Sequence, residues 1–367
     1  MVSFVGEVMK LDLKNKKVVV VDGNSPLSHD NLCFDPAVVR EKWYRYSGAL
    51  LYEQCIKRGM QLLTPDLYFK YKPSKAICMR DSSNGPNHTK QLRKFGVRLA
   101  VLVALEQPLY TPWFYWHLKK ESEYFDHTFT YGSLKGWVSS RSRFNLFVAY
   151  NIFPNKPLVQ VPFENKKYLT LINSNHRIHY AKRMYTKLMN YIEPMPTLEN
   201  SEQYIARLRA IQYFSSDPRF DLYGTWWDKP VRYTRGIYDE AIKEAYRGVV
   251  DDKIETLRNY KFALCFENCI LGGLITEKIT DALIAGCVPV YWGAPDVTDF
   301  IPSGCFIDFR EFNYDFSKLE HYLNSMNEAT YNHYIENIEA FIVSNATYVL
   351  SANKYMNDLI EIFESYF

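Results

Sequence analysis

The residues best equipped for chemistry in this 367-residue sequence gather between positions 262 and 295. An apolar run from Phe262 to Phe266 ends in Glu267 and Asn268. Gly272 and Gly273 come next, and Thr276, Glu277 and Lys278 then open a second apolar segment, which stops at Gly286 ahead of Val288-Pro-Val-Tyr-Trp292. The spacing predicts a strand, a polar loop, a helix and a second strand, with Thr276 as the helix N-cap and Glu277 and Lys278 in its first turn. Polar groups therefore converge where a sheet meets a helix N-terminus. In an open α/β sheet such a crevice offers unpaired N–H groups and the positive end of a helix dipole, so the chemistry is anion binding and a nucleoside diphosphate suits it.

The same stretch resembles the donor-binding signature of glycosyltransferase family 10, the α-1,3/4-fucosyltransferases. The family pattern of Phe-Glu-Asn, a short loop, Thr-Glu-Lys, an alanine-bearing helix, Val-Pro-Val and Gly-Ala-Pro is matched without gaps from Phe266 to Pro295. Phe300-Ile-Pro302 and Cys305-Phe-Ile-Asp-Phe-Arg310 are similar to the family's next strand. The resemblance implies a GT-B fold, two Rossmann-like α/β domains facing each other across a cleft, with C-terminal helices. It also implies GDP-fucose as donor and no obligatory metal or cofactor.

Sugar transfer needs a base for the acceptor hydroxyl and positive charge for the departing diphosphate. Glu106 ends the strongest strand of the first half, and Leu105-Glu-Gln-Pro108 resembles the family's Glu-Ser-Pro element, with Gln107 in place of serine; the resemblance makes Glu106 the base. Read from its own surroundings alone, Glu106 is a surface glutamate at a strand exit. Lys278 is expected to share the diphosphate charge with the helix N-terminus. Glu277, Asn268 and Thr276 are expected to meet sugar hydroxyls or hold the loop. Arg183, with Lys182 as second choice, sits on a basic helix near the point where the family places a phosphate-binding arginine, and guanidinium grips phosphate as a fork. Tyr223-Gly224 resembles the family's Tyr-Gly turn, where glycine permits close backbone approach. Leu274 stands where tyrosine is common, which opens a second reading, a family-like enzyme using another nucleotide sugar. A third is a glycan- or nucleotide-binding protein without catalysis. Trp113-Phe-Tyr-Trp-His117 can offer rings to a glycan or pack in a core. Asp251-Asp252 precedes a helix and lacks the setting of a metal-binding Asp-x-Asp.

The elements that must position these residues read as two α/β halves. The length suits two domains. Lys17-Val-Val-Val-Val-Asp22 opens the first as a buried strand; a helix is expected over 36–58, a strand near Leu62, a loop-rich segment from Pro73 to Gly96, and strands over Val97–Leu105 and Phe125–Tyr131. Pro154, Pro157 and Pro162 mark a linker. The second half begins with a strand over Tyr168–Asn173 and a helix over His179–Ile192, reaches Phe220–Gly224, and ends in two or three amphipathic helices from Phe316. The division is placed at 1–155 and 156–367, and the resemblance makes the first the acceptor-binding domain and the second, with its helical tail, the donor-binding domain.

Composition narrows the partners. A net charge of +3 with acids and bases interspersed gives no basic patch for nucleic acid. Seven cysteines without CxxC spacing read as reduced, mostly buried thiols, and no zinc site is assigned. No apolar run approaches the length of a membrane span and the first ten residues lack signal-peptide character. The expected partners are a nucleotide sugar and a glycan acceptor. The expected setting is the cytoplasm of a bacterial or viral system, with a peripheral membrane position left open and the Golgi only if an anchor is missing from this chain.

Overall fold

The structure is a computed structural model that describes residues 13, 15–23, 27–39, 46–81, 88–149, 151, 153, 158–159, 161–176, 180–192, 203–229 and 236–367. The chain divides into two compact units, Met1–Phe147 with Ala352–Phe367, and Val148–Ser351.

The first unit is built on a parallel sheet. Its elements run β1 (Lys17–Gly23), α1 (Pro36–Val39), α2 (Tyr46–Lys57), β2 (Met60–Leu63), α3 (Pro65–Tyr71), β3 (Lys75–Asp81), α4 (Thr89–Lys94), β4 (Arg98–Val103), α5 (Pro112–Trp116), α6 (Leu118–Ser122), β5 (His127–Thr130) and β6 (Arg143–Leu146). Among the described residues the strand order is β2-β1-β3-β4-β5-β6, every pair parallel. Val18 to Val21 and Leu99 to Val103 are buried without alternation, because helices cover both faces of a parallel sheet and each strand must be apolar on both sides. The segment expected to be loop-rich holds the central strand β3. Ile77 is the one β-branched residue in its Lys-Ala-Ile-Cys-Met-Arg-Asp sequence, which hides its strand character. Strand β6 also lay outside the expected elements.

The second unit runs β7 (Lys167–Ile172), α7 (Tyr180–Ile192), α8 (Tyr204–Phe214), β8 (Phe220–Tyr223), α9 (Asp239–Ala245), α10 (Lys253–Arg258), β9 (Tyr260–Phe266), α11 (Glu277–Ile284), β10 (Val288–Trp292), β11 (Ile307–Asp308), α12 (Phe316–Ser325) and α13 (Glu328–Ile342). Its parallel sheet has the order β11-β10-β9-β7-β8. Chain direction across the sheet reverses between β7 and β9, so the crevice beyond their C-terminal ends is the place where such sheets receive ligands. Asp252, half of the expected non-metal Asp pair, caps α10 by accepting from Glu255 N at 3.0 Å.

The last helix, α14 (Ala352–Glu364), belongs to the first unit and not to the second, where the whole tail was expected. Tyr355 meets Phe129 and Phe147 edge-on, with ring centroids 5.6 and 5.3 Å apart, and Tyr366 donates to Asp126 Oδ2 at 2.7 Å. These contacts draw the segment back, and the first break falls at 147/148, ahead of the proline-bearing linker. Among the described residues no helix is long and apolar enough to cross a membrane.

Candidate functional site

The site in the second unit starts where β9 ends. Phe266 is the last apolar residue, and Glu267 comes next with no exposed surface. A buried carboxylate survives only with charge and hydrogen bonds around it. Here Glu267 Oε1 accepts from Thr276 N at 2.8 Å and Thr276 Oγ1 at 3.0 Å, while Oε2 lies 2.8 Å from Thr276 Oγ1 and 3.2 Å from Lys278 Nζ. Thr276 is the N-cap of α11, as its sequence position predicts. Lys278 is 7% exposed, and its ammonium also reaches Thr276 Oγ1 at 2.9 Å and Glu277 Oε1 at 3.4 Å. Burial raises the Glu277 carboxyl, but Lys278 and then Lys253 outweigh it and hold the group down at about 2.

The second cation was missed by sequence reasoning. Arg207 on α8 is 3% exposed; its Nε and Nη2 donate to Phe266 O at 3.1 and 2.6 Å, and Nη2 donates to Asn268 Oδ1 at 2.6 Å. Among the described residues its Nη1 edge makes no hydrogen bond, which leaves that edge of the fork for a ligand. Burial depresses its pKa. The sequence signal was available: Tyr204, Arg207, Leu208, Ile211 and Phe214 form one buried helix stripe, and arginine is the foreign residue in it. Asn268, expected to read a hydroxyl or hold the loop, holds this guanidinium.

The segment leaving β7 and the turn after β8 complete the rim. Gly224 has φ +134°, and a Cβ there would stand 1.9 Å from Asn173 O, so only glycine permits this approach. Trp227 Nε1 donates to the same Asn173 O at 2.5 Å. The hydroxyl of Tyr223 faces inward and lies 3.0 Å from that of Tyr260. Lys182 is exposed on α7, and the side chain of Arg183 lies outside the described part of the structure. Leu274 is 1% exposed within a loop pinned by Gly273 N donating to Asp296 Oδ1 at 2.9 Å. The structure thus gathers Asn268, Thr276, Glu277 and Lys278 with Glu267 and Arg207, and sets Gly224 at the end of β8, on the same edge of the sheet with β7 between it and β9.

Glu106 belongs to the other unit, just past the end of β4, and is exposed. Its backbone is fixed: Tyr115 donates to the carbonyls of Ala104, at 2.8 Å, and of Glu106, while Tyr131 donates to Leu105 O and Thr130 to Ala104 O at 3.0 Å. Asp81 ends the adjacent β3. Although Asp81 is exposed, the protein around its carboxyl and then the charge of Glu106 push it up to about 6. In α5, Phe114 and Tyr115 are core residues, whereas Trp113 is 64% exposed, with the His117 ring tilted at 43° to it and centroids 4.7 Å apart.

Residues 198–360 match the model of glycosyltransferase family 10 (fucosyltransferase), C-terminal. One segment is similar to the alpha-(1,3)-fucosyltransferase FucT of Helicobacter pylori, 47% identical over 68 residues, which are 18% of this chain and 14% of that protein. Another similarity is to GDP-fucose protein O-fucosyltransferase 3 of Xenopus laevis, 53% identical over 47 residues, 13% of this chain and 10% of that one. These alignments span a small part of the relatives' lengths. In fold, the chain is similar to Anabaena Alr3699/HepE in complex with UDP, with a TM-score of 0.55 and 10% identity over 95% of this chain and 100% of that one. The two parallel-sheet α/β units are of the GT-B class. Residues 198–360 thus match the C-terminal domain of glycosyltransferase family 10, the fucosyltransferase family.

Proposed function

We propose that the protein is an inverting fucosyltransferase that moves L-fucose from GDP-β-L-fucose to a hydroxyl of an N-acetylglucosamine- or glucose-containing glycan, forming an α-1,3 or α-1,4 linkage. The observation that carries this reading is the pair of buried cations, Arg207 and Lys278, at the C-terminal end of β9 inside the family-matched segment. Negative charge grows on the diphosphate as the sugar–oxygen bond breaks, and fixed cations in a site shielded from water stabilise that growth most. Arg207 offers its Nη1 edge. The three N–H groups of Lys278 are all engaged, and its longest contact, 3.4 Å, is to Glu277, whose side chain is 34% exposed. A phosphate oxygen would exchange with Glu277, which is then free to meet a ribose or fucose hydroxyl. The fixed dipole of α11 adds to both cations.

In this reading Glu106 takes the proton of the acceptor hydroxyl as its oxygen attacks fucose C1, the bond from C1 to the β-phosphate oxygen breaks, and GDP leaves with inversion. A backbone pinned by Tyr115 and Tyr131 supports a base whose position is set before substrate arrives. The buried Leu274 leaves GDP-fucose as the expected donor and shifts the question of sugar choice to the other loops.

The test is incubation with GDP-fucose, GDP-mannose and UDP-sugars, each with mixed N-acetyllactosamine-type acceptors, reading nucleotide release and glycan mass. A deoxyhexose gain from GDP-fucose alone is expected. Glu106→Gln should lower turnover about a hundredfold or more with GDP binding unchanged. Near-normal turnover in that variant would remove Glu106 from the reaction, and consumption of a different donor would replace fucose.

A further inference from the structure

Trp226 is 44% exposed and has φ +69°, a left-handed backbone that a bulky residue adopts only when its surroundings force it. Its neighbour Trp227 fills the structural role of that turn, 6% exposed with its indole N–H on Asn173 O. The turn needs glycine at 224 and tryptophan at 227; nothing in the fold needs an indole held outward at 226. The hold is nonetheless firm. Asn175 N donates to Thr225 O at 3.0 Å, Asn175 Nδ2 to Trp226 O at 3.0 Å, and Thr225 Oγ1 to Ser174 Oγ at 2.8 Å, which stitches the turn to the segment leaving β7.

That segment carries His176, whose ring stands perpendicular to Trp226 at a centroid distance of 4.4 Å. In an edge-to-face pair at least one indole face stays uncovered. His176 follows the end of β7, which pairs in parallel with β8 on one side and β9 on the other, so the rings and the cations stand along one edge of the sheet; burial, and then the charge of Arg207, lower the His176 pKa. An exposed aromatic face, fixed in place, thus stands on the same strand-end surface as the diphosphate-binding charges.

We propose that Trp226, braced by His176, is the platform on which the nucleobase of the donor stacks. The inference rests on the reading of this site as one for a nucleoside diphosphate sugar. Every base has a π-face, so the platform supplies affinity for the nucleoside and leaves the choice among bases to hydrogen-bonding groups. A ring held outward before binding loses little freedom when the base arrives, which is what a strained, hydrogen-bonded turn achieves.

Calorimetric titration of the full chain with GDP, UDP and inorganic pyrophosphate tests it, using the wild type, Trp226→Ala and Trp226→Gly. The glycine variant removes the ring while relaxing the left-handed backbone, so a loss shared by both variants belongs to the ring. The expected result is a GDP affinity weaker by about 5- to 150-fold in both, the range of one base–aromatic stack, with pyrophosphate binding unchanged. GDP affinity equal to wild type overturns the platform. An equal loss for GDP and pyrophosphate overturns it too, because the ring would then act through the turn. If the wild type binds pyrophosphate but no nucleotide gains over it, the platform is wrong while the phosphate site stands; if the wild type binds none of the three, the nucleotide-sugar reading itself fails.

Discussion

Glu267 organises the charges of the cluster at the end of β9 although it is sealed from solvent. Its carboxylate engages Thr276 N, Thr276 Oγ1 and Lys278 Nζ, so the helix cap and the ammonium are set by one group. Removing a partner from a buried pair leaves the other charge uncompensated, which costs far more than the pair itself contributes. Lys278→Met should therefore destabilise the second unit by about 3–5 kcal/mol, read as a lower urea midpoint for that unit. Glu267→Gln combined with Lys278→Met should recover part of the loss, a coupling that a double-mutant cycle measures. A Lys278→Met midpoint equal to wild type would mean that Glu267 finds its compensation elsewhere. At this scale the sequence showed Thr276, Glu277 and Lys278 clearly, because their types match their places on a helix start. It showed Glu267 and Asn268 as polar residues at a strand end, but not that one anchors lysine and the other arginine. Arg207 stayed hidden because a basic helix residue reads as solvated unless its stripe is checked position by position.

Elements place these residues through turns as much as through strands. The β8 turn comes close to the segment after β7 only because position 224 lacks a side chain; a Cβ would stand 1.9 Å from Asn173 O and 2.5 Å from the Asn173 carbonyl carbon. Both obstacles are backbone, which cannot swing aside. Gly224→Ala should accordingly cost more than the roughly 1–3 kcal/mol of a strained backbone conformation alone, and it should separate the two loops. Hydrogen exchange at Asn173, Asn175 and Gly224, whose amides donate to Tyr223 O, Thr225 O and Gly248 O, reports that separation directly. Unchanged protection at those amides would show that the sheet end yields without loss. The glycine was legible as a turn, while the need for it was not, since the obstacle comes from a loop about fifty residues away in sequence, beyond the reach of local propensity. The same limit hid β3. Its residues are ordinary, and only pairing with β1 and β4 on either side makes them a central strand.

At the scale of the whole chain, the α/β character of both halves was written in β-branched runs and glycine stops, but the route of the chain was not. The chain enters the second unit after Phe147 and leaves it at Ser351, and these crossings lie side by side: Asn151 bridges Ser351 in parallel and its N–H donates to Leu350 O at 3.0 Å. An amphipathic pattern says that α14 has a face to bury and not which sheet receives it. Phe129 and Phe147 decide, by offering ring edges and faces to Tyr355, which is 9% exposed. Because α14 joins the first unit, Tyr355→Ala should act there despite its place at the far end of the sequence. A large buried aromatic cut to alanine loses about 3–5 kcal/mol, and the loss should appear as faster hydrogen exchange in β5 and β6 with β9 and β10 unaffected, since stability is lost first in the cooperative unit that holds the residue. Faster exchange in β9 and β10 instead would tie the helix to the second unit's stability. Protection lost in β5 and β6 alone would establish that a segment beyond the second unit in sequence completes the core of the first, the one carrying Glu106.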